Sequence, residues 1–303
     1  MKTTYLGTTE FAATVLRRLA DSPHRPALVV TPPDSRRGRG RKLAPPPAAE
    51  AARELGLGLH QTPDVNSPGS LEAIRAVNPR ALAVCAFGQL IKEPLLSEWT
   101  MLNVHPSLVP RWRGAAPIER ALMAGDERTG VTIMRVTAGL DSGPIALAEE
   151  VEIDPRDDYA SLSGKLAELS GELLVRAFDA LEAGEIEFTE QDDSQATYAE
   201  KVSPEERHLQ PSRPAAELER MVRALCPHIG AYLELEGGGR LGVRAARTAE
   251  DGPEAGTIEV RDDRLVLGSA DGALELDVVQ PPGRKPMRAG EFLRGHDPPQ
   301  RAV

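Results

Sequence analysis

The sequence predicts an α/β domain with a mainly parallel sheet, followed by a small C-terminal β-barrel. Apolar strand-like runs alternate with amphipathic helix-like runs through residues 1–190, which is the pattern of a layered α/β fold. Beyond residue 230, five short strand-like runs are separated by Gly and Asp, which is typical of a small barrel. A length of 303 residues with 41% apolar residues suffices for two such cores. We therefore predict domains at 1–200 and 213–303, joined by a linker at 201–212.

The elements of the first domain follow from local patterns. The run ALVV at 27–30 is short, apolar and β-branched, which suits a buried parallel strand. EFAATVLRRLADS at 10–22 has apolar residues at helical spacing. The segment 32–47 is rich in Pro, Gly and Arg, and we predict a loop there. By the same criteria the sequence predicts strands at 3–7, 27–30, 81–87, 101–104, 129–136 and 145–153, and helices at 10–22, 48–57 and 159–184, the last with Gly171 as its weak point.

The chain changes character near residue 200. EKVSPEERHLQPSRP at 200–214 is polar and contains three prolines, which predicts a linker. A helix at 215–226 follows. The barrel strands are then expected at 231–237, 240–246, 256–260, 264–269 and 272–280.

Composition narrows the classes of function. A net charge of −10 argues against general nucleic-acid affinity, although a local basic patch can still bind RNA phosphates. Aromatic residues make up 4% of the chain, so a base-stacking platform is not expected. No apolar run reaches the ~20 residues needed to cross a membrane, and no signal peptide is expected. The two distant cysteines, Cys85 and Cys226, fit buried thiols in a cytoplasmic protein.

Several common catalytic motifs are missing from the sequence. The first strand ends in LGTTEFA, which lacks the glycine spacing of a dinucleotide site. The chain contains neither G-x-S-x-G nor His-Glu-x-x-His, and its six histidines are scattered. We therefore expect no resident metal and no nucleotide cofactor of the dinucleotide type.

Asn103 and His105 lie where the apolar strand predicted at 101–104 ends. They belong to the stretch NVHPSLVPRWRGAAP, which covers residues 103–117. Open α/β sheets bind their ligands at the carboxyl ends of strands, and side chains two residues apart point to the same side. An Asn amide can donate to an oxyanion, and a His can carry a proton near neutral pH. This pair suits acyl transfer to an amine without a covalent intermediate. Judged from these two residues alone, a purely structural role is more frequent than a catalytic one. In that alternative the Asn ends the strand and the His bonds to the backbone.

Asp141 is a third candidate. It lies in GLDSG, a tight turn between two strand-like runs. A carboxylate there could orient the imidazole and stabilise its charged form. An Asp in such a turn is otherwise a common turn residue.

The stretch NVHPSLVPRWRGAAPIERALMAGDERTGVTIMRVTAGLDSGPI resembles the signature of the formyltransferase family. Further segments fit the same family along nearly the whole chain: GTTEFAATVLRRL, TPPDSRRGRGRKL, TYAEKVSPEE and QPPGRKPM. The resemblance implies a Rossmann-like domain followed by a small OB-like barrel. It also implies transfer of the formyl group of 10-formyltetrahydrofolate to the amino group of initiator methionyl-tRNA, with no metal.

The resemblance assigns roles to individual residues. Asn103, His105 and Asp141 match the family's catalytic residues. Ser107 belongs to a folate-binding turn and is not expected to be a nucleophile. The implied folate contacts are Phe87, Gln89, Leu90, Ile91, Ser107, Leu108, Val109 and Pro110. The implied tRNA contacts are Arg36, Arg37, Arg39, Arg41 and Lys42, with Arg39 at the position of the family's critical arginine.

Three other functions share parts of this pattern. A transformylase acting on a small amine, such as a nucleotide sugar or purine precursor, would have the same central motif. An RNA-binding module without activity would not need an intact Asn103, His105 and Asp141. A formylfolate hydrolase would not need a tRNA-sized second domain. We further expect a monomer with no membrane association.

Overall fold

The computed structural model describes residues 1–37 and 42–303, and the side chain of Arg37 lies outside this description. Two compact units are present. The first consists of residues 1–117, 128–152 and 163–199, and the second of 118–127, 153–162 and 200–303. The second unit thus includes two short segments from the part of the sequence predicted as the first domain. Hydrophobic periodicity does not reveal which core a short segment joins.

The first unit is built on a seven-stranded sheet with the order β10-β9-β7-β6-β1-β2-β5. The five strands from β7 to β5 are parallel, and β9 and β10 are antiparallel. This confirms the predicted α/β fold with a mainly parallel sheet. The strands before residue 200 are β1 (Thr3–Gly7), β2 (Pro26–Thr31), β3 (Ser35–Arg37), β4 (Lys42–Ala44), β5 (Gly58–Gln61), β6 (Ala81–Cys85), β7 (Thr100–His105), β8 (Arg113–Gly114), β9 (Arg128–Arg135), β10 (Ile145–Glu152) and β11 (Tyr198–Ala199).

Among the described residues before 200, the α-helices are α1 (Glu10–Ala20), α2 (Pro47–Glu54), α3 (Pro68–Val77), α4 (Leu95–Glu98), α5 (Pro117–Ala124) and α6 (Tyr159–Ala183). Helix α1 begins after Thr9, whose hydroxyl accepts a hydrogen bond from the backbone N–H of Ala12 and so caps the first turn. Helix α6 is continuous through Gly171. A Cβ at that position would lie 2.5 Å from Cβ of Arg18 in α1, so glycine allows the two helices to approach closely.

The arginine-rich segment predicted as a loop contains the two arms of a hairpin. Strands β3 and β4 are antiparallel, with Arg36 opposite Leu43. Alternation of apolar and polar residues is lacking here, so the pattern gave no strand signal. Arg39 and Arg41 lie outside the described residues. β2 and β7 are parallel strands of one sheet, so their carboxyl ends lie at the same end of the sheet. The chain therefore enters this hairpin from the end at which His105 lies.

The second unit is a six-stranded antiparallel sheet. Its main path has the order β12-β13-β16-β15-β14, and β17 also pairs with β16. The elements after residue 200 are α7 (Ala215–Leu225), β12 (Ala231–Glu234), β13 (Arg240–Ala249), β14 (Ile258–Arg261), β15 (Arg264–Gly268), β16 (Ala273–Gln280), β17 (Met287–Arg288) and α8 (Ala289–Gly295). Leu209, in the segment predicted as a linker, is fully buried in the core of this unit.

The last residues of the chain connect the two ends of this sheet. Ala302 forms a bridge with Leu235, directly after β12, and Arg301 forms a bridge with Thr257, directly before β14. The backbone N–H of Ile258 also donates to the carbonyl of Gln300. Since β12 and β14 are the two ends of the main path, this tail closes the sheet in the manner of a small barrel.

Cys85 is fully buried at the end of β6. Burial raises the pKa of the Cys85 thiol to about 12, so the thiol stays protonated at neutral pH. This agrees with the expected structural role of that residue.

Candidate active site

Strand β7 positions Asn103 and His105. It pairs with β6 on one side and β9 on the other, so that Asn103 lies opposite both Val84 and Met134. His105 is the last residue of the strand and is buried, whereas Asn103 is half-buried. Two residues apart on an extended strand, the side chains leave the same face of the sheet, as the sequence predicted.

The Asp141 carboxylate lies between these two side chains. One of its oxygens, Oδ1, accepts a hydrogen bond from Nδ2 of Asn103 at 3.2 Å. The other, Oδ2, accepts from the backbone N–H of Gly114 at 2.9 Å and lies 3.6 Å from Nδ1 of His105. The structure therefore brings together the three residues that the sequence singled out, around a single carboxylate.

The imidazole of His105 is held by a hydrogen bond at one of its ring nitrogens. Its Nε2 lies 2.8 Å from the carbonyl oxygen of Trp112. A carbonyl can only accept, so Nε2 carries a hydrogen and donates it to Trp112. Nδ1 faces the Asp141 carboxylate, and it is consequently the ring nitrogen whose protonation can change during a reaction.

The turn after His105 is anchored to β9. The hydroxyl of Ser107 is fully buried and donates to the carbonyl of Arg111 at 2.7 Å. The carbonyl of Ser107 accepts a hydrogen bond from Thr132 at 2.7 Å. Val109 is also buried, while Leu108 and Pro110 are partly exposed. Any ligand contact by this turn through side chains would therefore involve Leu108 or Pro110.

The resemblance implies a folate-binding role for the turn that contains Ser107, and Ser107→Ala tests it: turnover should stay close to that of the original protein, and the folate concentration needed for half-maximal rate should rise. The change removes the hydroxyl that holds Arg111, so the turn loosens, but no reacting group is lost. Steady-state kinetics with varied formylfolate measures both quantities. Complete loss of turnover with unchanged folate affinity would instead identify Ser107 as a nucleophile.

The segment after β6 was also predicted to contact folate. Its backbone leaves the extended conformation at Ala86 (φ +43°) and Gly88 (φ +80°). Phe87 and Ile91 are buried, and Leu90 is 68% exposed. The side-chain amide of Gln89 is used within the protein: its oxygen accepts from the N–H of Val65 and its nitrogen donates to the carbonyl of Thr62. Leu90 is thus open to side-chain contact with a ligand, whereas one N–H and one acceptor position of the Gln89 amide are already used within the protein.

The predicted tRNA contacts fall into two groups. Arg36 and Lys42 lie on the two arms of the β3–β4 hairpin and are exposed to solvent. Arg39, Arg41 and the side chain of Arg37 lie outside the described residues. Leu43, next to Lys42 and opposite Arg36, is 70% exposed.

Two side chains near Asp141 were not identified from the sequence. The amide of Gln191 donates to the carbonyl of Asp141 at 3.0 Å and accepts from the buried guanidinium of Arg113. Gln191 lies in a polar segment about 50 residues beyond Asp141, and nothing in that segment signals a role. The only available signal was the presence of Arg113 inside the central motif.

Within residues 1–37 and 42–303, no three or more His, Cys, Asp or Glu side chains form a group that could hold a metal ion. In the same part of the chain, every helix is too short or too polar to span a bilayer.

The chain is similar to known proteins along nearly all of its length. Residues 1–178 match the family model described as formyl transferase, and residues 201–297 match formyl transferase, C-terminal domain. It is 39% identical over 298 residues to the methionyl-tRNA formyltransferase of Phenylobacterium zucineum, covering 97% of each chain. It is 41% identical over 296 residues to the methionyl-tRNA formyltransferase of Halorhodospira halophila, covering 96% of this chain and 95% of that protein.

Solved structures share the fold. HypX from Aquifex aeolicus in complex with tetrahydrofolic acid has a TM-score of 0.67 and 17% identity, covering 100% of this chain and 50% of HypX. The N-formyltransferase from Helicobacter canadensis in complex with folinic acid and dTDP-3-aminofucose has a TM-score of 0.66 and 13% identity, covering 91% of this chain and 98% of that chain. At such identities the likeness concerns the fold alone.

Proposed function

The chain belongs to the formyl transferase family, and on this premise we propose that it transfers the formyl group of 10-formyltetrahydrofolate to the amino group of initiator methionyl-tRNA. The observation that carries the proposal is the Asp141 carboxylate, which lies between the amide of Asn103 and the ring of His105. Relatives named for this activity match 97% and 96% of the chain, and residues 201–297 of the second unit match the family's C-terminal domain.

The reaction needs no covalent intermediate on the protein. The α-amino group of an aminoacyl ester titrates near or below about 7.7–8.0, so enough of it is neutral to attack directly. Its nitrogen forms a bond to the formyl carbon, and the carbonyl oxygen becomes an oxyanion. Asn103 has two amide hydrogens, one of which is donated to Asp141, and the other can be donated to this oxyanion.

The proton must then move from the attacking nitrogen to N10 of the folate, the atom that leaves. Nδ1 of His105 is suited to exchange this proton, because Nε2 stays bonded to the Trp112 carbonyl throughout. Asp141 stabilises the ring while it is positively charged. The bond between N10 and the formyl carbon breaks as N10 is protonated, and formylated methionyl-tRNA and tetrahydrofolate are released.

Folate binding is proposed at the turn formed by Leu108 and Pro110 and at the segment from Phe87 to Ile91. A flat heteroaromatic ring needs an apolar contact surface together with backbone polar groups. Leu90 offers an apolar contact surface. At Ala86 and Gly88 the backbone leaves the extended conformation, so its polar groups are not committed to pairing with a neighbouring strand. Ser107 and Val109 support the turn from within.

The acceptor tRNA is proposed to bind through the β3–β4 hairpin and through residues 213–303, which belong to the second unit. The hairpin begins at the same sheet edge as His105 and carries exposed Arg36 and Lys42. Guanidinium and ammonium groups there suit phosphate oxygens. From residue 208 onward the chain has 13 Lys and Arg against 15 Asp and Glu, so this part is close to neutral while the whole chain carries −10.

Replacing Arg39 by Ala is expected to weaken the use of methionyl-tRNA sharply while folate binding stays unchanged. Replacing Arg36 by Ala should act more mildly and lower the salt dependence of tRNA binding by about one phosphate contact. The measurement is tRNA affinity over a series of salt concentrations. Arg80→Ala is the matched control, since Arg80 is exposed but directly precedes β6 at the opposite sheet edge. Normal formylation by Arg39→Ala at physiological salt would contradict a role for this hairpin in binding tRNA.

The decisive experiment offers several acceptors to the purified protein. Labelled 10-formyltetrahydrofolate is supplied with charged initiator tRNA, charged elongator methionyl-tRNA, a nucleotide-linked amino sugar, or no acceptor. We expect label on initiator methionyl-tRNA. Label on the sugar would favour a small-amine transformylase, and formate released at the same rate without an acceptor would favour a hydrolase.

Two further expectations accompany the proposed substrate. Charged tRNA is used in the cytoplasm, so we propose that the protein acts there. We also propose that it is a monomer, which light scattering coupled to size-exclusion chromatography would test.

A further inference from the structure

Asp141 has an uncommon backbone conformation. Its φ of +44° lies in the left-handed region, which residues other than glycine seldom adopt. Such a conformation persists where the surrounding structure holds it in place. The contacts that hold the backbone of Asp141 are therefore as relevant to its carboxylate as the contacts of the carboxylate itself.

Gln191 supplies these backbone contacts. Its Nε2 donates to the carbonyl of Asp141 at 3.0 Å and to the carbonyl of Gly143 at 2.7 Å, and it also makes a longer contact of 3.6 Å with Sδ of Met134. One amide thus spans both ends of a three-residue turn. Both N–H groups of the amide are used in these contacts.

Arg113 determines the orientation of the Gln191 side-chain amide. Its Nε and one terminal nitrogen donate to Oε1 of Gln191 at 3.0 and 2.8 Å. Because a guanidinium can only donate, it requires the oxygen of the amide, and the nitrogen must then face the Asp141 turn. Arg113 is itself buried and also pairs with Asp193.

The dipeptide Arg113–Gly114 thereby holds Asp141 from two directions. The N–H of Gly114 bonds to the Asp141 carboxylate directly, and Arg113 holds the Asp141 backbone through Gln191. Strand β8, which is this dipeptide, pairs with β11 at Tyr198 and Ala199. The polar segment around Gln191 and the motif that follows His105 are in this way joined at the reacting carboxylate.

We propose that Gln191 is a positioning residue for formyl transfer, acting by holding the Asp141 turn so that its carboxylate stays between Asn103 and His105. The inference rests on the proposed function of Asp141. Gln191 acts through the backbone of Asp141, so its contribution exists only while Asp141 carries a carboxylate.

The test is a double-mutant cycle on turnover. Gln191→Met keeps the volume of the side chain and removes all of its hydrogen bonds. We expect kcat to fall by about ten- to a hundredfold, since small misplacements of a catalytic group have effects of this order. The KM values for methionyl-tRNA and formylfolate should change by less than about threefold. In a protein that already carries Asp141→Asn, the same replacement should reduce kcat no further.

A second variant separates positioning from folding. Gln191→Glu retains acceptor oxygens for Arg113 and adds a charged pair with it, so its unfolding temperature should be no lower than that of Gln191→Met. Its carboxylate would face the carbonyls of Asp141 and Gly143 without a hydrogen to donate, so kcat should fall at least as far as in Gln191→Met. Gln195→Met is the matched control. Gln195 lies in the same segment, but its amide donates to the Asp192 carboxylate and not to the Asp141–Gly143 turn.

The kcat values of these variants distinguish the positioning role of Gln191 from the proposed role of Asp141. Equal losses of kcat for Gln191→Met with and without Asp141→Asn would overturn the positioning role in favour of a general structural one. Unchanged kcat in both Gln191 variants would also overturn it, while a large loss in Asp141→Asn left the proposed function intact. Unchanged kcat in Asp141→Asn would instead overturn the proposed role of Asp141 and the inference with it.

Discussion

Replacing His105 by Ala is expected to lower kcat by about 10²–10⁴-fold, which is the usual contribution of a positioned acid–base group. Nδ1 of His105 faces Oδ2 of Asp141 at 3.6 Å, so this ring is placed beside the carboxylate that would stabilise its charged form. Asp141→Asn should have an effect of similar size. Asn103→Ala should cost about 10²–10³-fold, the loss found when one oxyanion donor is removed. Single-turnover kinetics at saturating formylfolate and tRNA measures these effects on the chemical step.

The control for this set is His60→Ala. His60 is a half-buried histidine of the first unit whose Nε2 lies 3.1 Å from the hydroxyl of Ser70, and it should keep turnover. Circular dichroism and thermal unfolding show whether each variant is folded. Near-normal turnover in a folded variant of Asn103, His105 or Asp141 would remove that residue from the mechanism.

Replacing Gly143 by Ala is expected to lower turnover by about 10²-fold without any change to a reacting group. A Cβ at this position would lie 1.8 Å from the carbonyl oxygen of Arg135, a backbone atom of strand β9 and not the end of a flexible side chain. The turn must therefore shift away from the sheet and carry the Asp141 carboxylate with it. Misplacement of about 1 Å can cost this much in rate. The experiment compares kcat with the unfolding temperature of the same variant.

Gly164→Ala is the matched control for this replacement. Gly164 lies in helix α6, and a Cβ there would meet no atom within 4 Å. It should keep full activity and stabilise the protein by about 0.5–1 kcal/mol, because alanine is the better helix former. If Gly143→Ala retained full turnover, the turn around Asp141 would be far more adaptable than its contacts indicate.

Much of the fold could be predicted because its central strands are unambiguous. Strand β1 has the predicted bounds, and the other parallel strands ALVV and ALAVC are short apolar runs that fit no other element. Strand β5 (GLHQ) and helix α3 were not identified. β5 is an edge strand with one apolar side chain in four residues, and α3 buries only Ser70, Leu71 and Ile74, so neither has a strong periodic signal.

The site was predictable to the extent that its residues are close in sequence or resemble a family motif. Asn103 and His105 are two residues apart on one strand, and Asp141 follows in the next tight turn between strands. Gln191 reaches the same turn only because β8 and β11 pair, and no local pattern encodes a pairing between two-residue strands. Long-range polar contacts of this kind become visible only in three dimensions.

The terminal segment Gln300–Val303 has a consequence for self-association. It supplies backbone partners to Leu235 and Thr257, which flank the two outermost strands of the second unit. An unpaired sheet edge is a template onto which the strand of another molecule can add, and Val260 on β14 is an exposed apolar residue at that edge. The segment therefore acts as a built-in edge protector. We expect that removing residues 300–303 by cleavage makes the second unit more prone to aggregation than the uncleaved chain, which light scattering at equal concentrations would measure.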